Sequence, residues 1–93
     1  MRSIEVEVRG ESGLHARPAA AFVRAASAYA STVRLENLSA AGPVADAKSI
    51  TSVLSAGVER GHVVRIEAEG ADEERAVRAL RRLLAGPRKP VGI

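Results

Sequence analysis

Ninety-three residues, 46% hydrophobic and 27% charged, describe one globular domain with a single core and exclude a disordered chain. There is no apolar run near 18 residues, charges interrupt Met1-Arg2-Ser3-Ile4-Glu5 where a signal peptide needs its apolar segment, and cysteine is absent, so the expectation is a cytoplasmic protein without membrane insertion or disulfides. The formal charge of +3 rests on twelve arginines against two lysines, but only Phe22 and Tyr29 are aromatic, which disfavours a base-stacking surface and leaves steering toward an acidic partner.

Ile4, Val6 and Val8 alternate with Glu5, Glu7 and Arg9, the period of a half-buried strand. Gly10-Glu11-Ser12-Gly13 breaks it. A helix is expected over 16–28, with Ala19, Phe22, Val23 and Ala26 forming one apolar stripe. Pro18 fits only in the first turn, where its missing N–H is not needed, so His15 falls at or next to the N-cap. Thr32 to Leu38 reads as a second strand with Val33 and Leu35 inward, and a short third strand is expected near Val44 after the turn Ser39–Pro43. Ser49 is a suitable N-cap for a short helix carrying Ile50, Val53 and Leu54, and Gly57 is placed to end it. His62 to Glu69 alternates again, with Val64, Ile66 and Ala68 on one face. Gly70-Ala71-Asp72 caps a last helix in which Val77, Leu80 and Leu84 face the core, with Glu73 and Glu74 early and Arg78, Arg81 and Arg82 later, as the helix dipole favours.

The order β-α-β-β-α-β-α, with one apolar face per strand, suits an antiparallel sheet covered on one side by helices. Residues 1–85 are expected to form that domain, and residues 86–93 a flexible C-terminal tail.

The chemistry gathers at Gly13-Leu14-His15-Ala16-Arg17-Pro18. An isolated histidine is more often structural than reactive, but here the neighbours change the weighing. Arginine is a permanently charged fork suited to a phosphate or carboxylate, and a helix N-terminus supplies free N–H groups and partial positive charge. His15 is therefore read as a nucleophile that takes a phosphoryl group. The N–H groups of Ala16 and Arg17 and the Ser12 hydroxyl would hold its oxygens, and the Arg17 guanidinium would stabilise charge during transfer.

Gly13-Leu14-His15-Ala16-Arg17-Pro18-Ala19 resembles the active-site signature of HPr, the histidine-containing phosphocarrier family of the phosphoenolpyruvate-dependent sugar phosphotransferase system. Asp46-Ala47-Lys48-Ser49-Ile50 is similar to the family's regulatory serine region, and Gly70-Ala71-Asp72-Glu73-Glu74-Arg75-Ala76 to the start of its last helix. The resemblance runs from about Ile4 to Leu84. It implies an α+β open-faced β-sandwich, a four-stranded antiparallel sheet with three helices on one face. It also implies a carrier and not an enzyme, a monomer without cofactor or metal, in which His15 takes phosphate on Nδ1 from enzyme I and gives it to a sugar-specific enzyme IIA.

By the same resemblance Arg17 assists transfer, and Arg24, Lys48, Ile50, Thr51, Ser52 and Leu54 form the partner-binding surface. Ser49, an N-cap serine on its bare sequence, becomes a regulatory phosphorylation site for an HPr kinase/phosphorylase, adding about −2 charge to that surface. Thr51 stands where the family usually carries a large apolar residue, Ser52 replaces a small or basic one, and the 38–43 loop is longer than usual. Service to dihydroxyacetone or nitrogen-linked phosphotransfer would use the same site chemistry.

Other readings are weaker. Gly42 to Ser49 is one residue from a P-loop, but Ala47 stands where glycine is required. Gly10–Gly13 matches a G-x-x-G clamp yet follows a strand instead of joining two helices. An RNA-recognition fold shares the element order but lacks an aromatic strand here. A purely regulatory paralogue acting through Ser49 would have lost the active histidine. His62 stands far from His15 with no cysteine nearby and reads as a strand-edge residue.

Overall fold

A computed structural model describes residues 1–9 and 13–85. Ser12 and the tail 86–93 therefore lie outside the described residues. In chain order the elements are β1 (Arg2–Glu7), α1 (Ala16–Ser27), β2 (Thr32–Asn37), β3 (Ala45–Asp46), α2 (Ile50–Ser55), β4 (Val63–Glu69) and α3 (Glu73–Ala85).

The strands form one antiparallel sheet in the order β1-β4-β2-β3. Its register follows from the alternation. Ile66 pairs with Ile4 on one side and Leu35 on the other, and Val64 pairs with Val6, so apolar residues stand in rows across the covered face. The helices close over those rows. Phe22 of α1, Val53 of α2 and Leu80 of α3 are fully buried with Val33, Leu35, Val64 and Ile66. On the open face Arg65 lies between Glu5 and Glu36, 3.3 Å from each, so this face is laced by exposed ion pairs rather than aromatic rings. That pattern does not suit a base-stacking platform.

The open-faced α+β sandwich expected from the sequence is the observed architecture. The differences are local. The third strand is Ala45–Asp46 and not Val44, which is exposed, because Ala45 is the residue that pairs with Leu35 and enters the core. In α2 only Val53 is buried; Ile50 and Leu54 remain 40% and 44% exposed because six residues turn only one apolar position inward. Asp72 does not direct its carboxylate into α3. It accepts from the N–H groups of Ala30 and Ser31 at 2.8 and 3.0 Å and from the Ser31 hydroxyl, fastening the α1–β2 turn to the start of α3. The Gly70 N–H instead donates to Glu73 Oε1 at 3.1 Å. The Asp72 carboxyl is accordingly lowered to about 2, first by the Ser31 hydroxyl and then by the Ala30 N–H.

Candidate functional site

Pro18 places the start of α1. Helix geometry leaves the first N–H groups without intrahelical acceptors, and the first i→i−4 bond here is Ala19 N–H to the His15 carbonyl at 2.9 Å. Pro18 has no N–H, so Ala16 and Arg17 are the two residues whose donors open onto the N-terminal end. His15 is the N-cap, in an extended conformation (φ −99°, ψ 168°), and its side chain does not cap the helix. The first turn holds no acidic residue. The positive pole of a twelve-residue helix is thus not neutralised from within, and Arg17 adds a formal charge. Pole, donors and guanidinium together suit a doubly charged tetrahedral anion beside the imidazole.

The ring of His15 is 53% exposed, within reach of a docking protein. Its Nε2 lies 3.0 Å from Glu59 Oε1, a contact between residues 44 positions apart. With Nε2 facing a carboxylate, Nδ1 is the ring nitrogen left to attack. The Glu59 carboxyl is held below its usual range, first by the hydrogen bond to His15, then by the charge of that ring, with a smaller contribution from His62.

The segment before α1 is clamped to the α2–β4 turn that carries Glu59. Leu14 N–H donates to the Val58 carbonyl at 3.0 Å, and Gly13 (φ +59°) lies so close that a Cβ would stand 2.5 Å from that oxygen and 2.8 Å from Glu59 Cα. The turn has its own anchors. Glu59 N–H donates to His62 Nδ1 at 3.1 Å, and the buried Asn37 donates from Nδ2 to the carbonyls of Ala56 and Gly57 at 3.1 and 3.3 Å. His62, just before β4, thus accepts a backbone donor in this turn.

Glu59 is the residue that reading the sequence missed. It lies in a turn without periodicity, and nothing local marks a carboxylate whose partner comes from the other end of the chain.

The remaining predicted residues fall on α1, α2 and the approach to α2. Arg24 is exposed, seven positions from Arg17 and so on the same side of α1, which packs against α2. Ser49 is the N-cap of α2, its Oγ accepting from Ser52 N–H at 3.3 Å. Thr51 is exposed beside Ile50 and Leu54. Lys48 and Ser52 are already engaged: the Lys48 ammonium donates to the Tyr29 carbonyl at 2.8 Å, beyond the end of α1, and the Ser52 hydroxyl accepts from Asp46 N–H at 2.9 Å. The P-loop look-alike is thus a strand and a helix cap. Among the described residues no helix is long and apolar enough to cross a membrane.

Comparison with known proteins bears on the family and the fold. Residues 2–86 match the family model described as the PTS HPr component phosphorylation site. The crystal structure of HPr-C-His from Thermoanaerobacter tengcongensis superposes with a TM-score of 0.83 at 43% identity, covering 90% of this chain and 91% of that one. The phosphocarrier protein HPr from Bacillus anthracis str. Ames gives a TM-score of 0.83 at 34% identity, covering 89% and 95%. A multiphosphoryl transfer protein of Escherichia coli O157:H7 is 40% identical over 78 residues, 84% of this chain but 21% of that protein. The chain therefore spans about a fifth of the length of that curated relative.

Proposed function

This chain belongs to the HPr family of the phosphotransferase system, and from that premise we propose that His15 accepts a phosphoryl group from enzyme I and donates it to a sugar-specific enzyme IIA. The observation that carries the reading is the disposition of the ring: half-exposed at an uncapped helix N-terminus, with Nε2 turned to a carboxylate and Nδ1 left to attack.

In the forward step the Nδ1 lone pair forms an N–P bond while the bond from phosphorus to the donor's leaving group breaks. The N–H groups of Ala16 and Arg17, the Arg17 guanidinium and the Ser12 hydroxyl receive the equatorial oxygens, and the N-terminal pole of α1 stabilises their charge. The group leaves by the same geometry in reverse, toward the nucleophile of the next protein. The work is that of a carrier: one covalent phosphate, taken from one partner and given to another, with no cofactor or metal required.

The partner face consists of the exposed side of α1 with Arg17 and Arg24 and the exposed surface of α2 with Ile50, Thr51 and Leu54. Cations beside a small apolar patch suit partners whose own docking sites are acidic around an apolar centre. Lys48 and Ser52 support that face by fixing the approach to α2. Phosphorylation of Ser49 by an HPr kinase/phosphorylase would put about −2 charge on this face and oppose the same partners. The functional unit is residues 1–85, acting as a cytoplasmic monomer, and dihydroxyacetone or nitrogen-linked phosphotransfer would use the same site.

Incubation with purified enzyme I and labelled phosphoenolpyruvate tests the reading. Wild type takes up one acid-labile, base-stable phosphate and His15→Ala takes up none. Equal labelling of the two proteins would overturn it.

A further inference from the structure

The contact between His15 and Glu59 has a consequence for both halves of phosphoryl transfer. We propose that Glu59 is a positioning residue for His15: its carboxylate accepts Nε2–H, holding the tautomer whose Nδ1 lone pair faces outward and keeping that proton in place while phosphate arrives and leaves. The inference rests on the phosphocarrier reading of His15.

The geometry is built rather than incidental. Glu59 is placed by the main-chain clamp of Gly13 and Leu14 on Val58 and by its own N–H, which donates to the His62 imidazole at Nδ1, so the residue is held on both sides where its carboxylate meets the ring. Neutral imidazole carries one proton on either nitrogen, and the partner of one nitrogen decides the role of the other. An acceptor 3.0 Å from Nε2 selects Nε2–H and presents the Nδ1 lone pair.

When Nδ1 attacks, its lone pair forms the N–P bond, and the electron pair of the donor's bond to phosphorus departs with the donor. The ring becomes a phosphoimidazolium bearing Nε2–H, its positive charge beside the Glu59 carboxylate. On donation the N–P electrons return to Nδ1, and neutral imidazole is left with the same proton on Nε2. No proton has to be exchanged with water in either direction. A carboxylate that favours the cationic phosphoimidazole also favours the better leaving group.

The charged groups on the two segments that meet here are Arg17 and Arg24 on α1, and Glu59, Arg60 and His62 on the α2–β4 turn. Among the described residues of α1 and this turn, Glu59 is the single acidic side chain.

Imidazole 15N NMR of unphosphorylated wild type, Glu59→Ala and Glu59→Gln tests the pairing directly. Wild type shows the Nε2–H tautomer, Glu59→Ala shows a mixture with Nδ1–H, and Glu59→Gln, which keeps an acceptor oxygen, stays nearer wild type. In parallel, the initial rate of labelling from enzyme I falls about two- to five-fold in Glu59→Ala, the range for an exposed pair. The difference narrows as salt is raised, and Glu69→Gln, at the far end of β4, labels at the wild-type rate. An unchanged tautomer distribution in Glu59→Ala, or a wild-type labelling rate, overturns the inference. Wild type that fails to label overturns the phosphocarrier reading and the transfer role with it, whereas the tautomer spectra decide the pairing without any phosphate.

Discussion

Replacing Gly13 by alanine separates the cost of a left-handed backbone from the cost of a blocked approach, because a second glycine supplies the control. Gly13 and Gly57 have nearly the same φ, +59° and +61°, but a Cβ at Gly57 meets nothing within 4 Å, while one at Gly13 stands 2.5 Å from the Val58 carbonyl oxygen. Both variants bear the left-handed penalty of about 1–2 kcal/mol. Gly13→Ala bears an overlap term as well. The atoms in the way belong to the main chain of Val58 and Glu59 and cannot rotate aside, so the clamp must open, at a further cost of about 1–3 kcal/mol by analogy with overpacked cores. The two variants should therefore differ by about 1–3 kcal/mol, or roughly 4–24 °C in Tm for a domain of this size. Urea and thermal unfolding followed by far-UV circular dichroism read the difference. Opening the clamp also withdraws Glu59 from His15, so labelling by enzyme I slows in Gly13→Ala and not in Gly57→Ala. Equal stability of the two variants would refute the close approach and the account of how Glu59 reaches the ring.

The Asp72 carboxyl is lowered in the fold from 3.8 to about 2. A folded value below the unfolded one means its contribution is present above the unfolded value and lost as pH falls through the interval between them. Asp72→Asn is thus less stable than wild type at neutral pH, and the gap closes between about pH 4 and pH 2 in acid-unfolding curves. Arg17→Ala slows phosphate uptake from enzyme I about ten-fold or more, and Arg17→Lys, which keeps the charge but loses the fork, falls between it and wild type in the same assay. Ser49→Ala removes the acceptor for Ser52 N–H and costs about 0.5–2 kcal/mol in thermal unfolding. Ser49→Asp restores the cap, and slows uptake from enzyme I through its added charge, most clearly at low salt.

The parts of the fold legible in the sequence were those with a period or a punctuating residue. Alternation in Ile4–Val8 and Val64–Ala68 placed both partners of the first strand pair, and Pro18 located the helix start, and with it His15 at the N-cap. Ser49 and Gly57 marked the two ends of α2 for the same reason: a hydroxyl cap and a left-handed residue are requirements of the backbone. A strand of two residues has no period, so β3 was located only as near Val44, and it is Ala45–Asp46. Asp72 read as the cap of its own helix because its spacing fits that role, but its carboxylate finds three donors at the α1–β2 turn, which only the tertiary fold brings near. The Glu59–His15 contact was hidden for the same reason, since a turn residue acquires its partner only when the segment before α1 docks on the α2–β4 turn.

The central claim is that His15 Nδ1 is the atom that carries phosphate. 31P and imidazole 15N NMR of the protein charged by enzyme I and phosphoenolpyruvate measure it directly. The account predicts one phosphoramidate resonance, coupled to Nδ1 of His15 and absent from His15→Ala. A phosphate on Nε2, or a resonance that persists in His15→Ala, would contradict it.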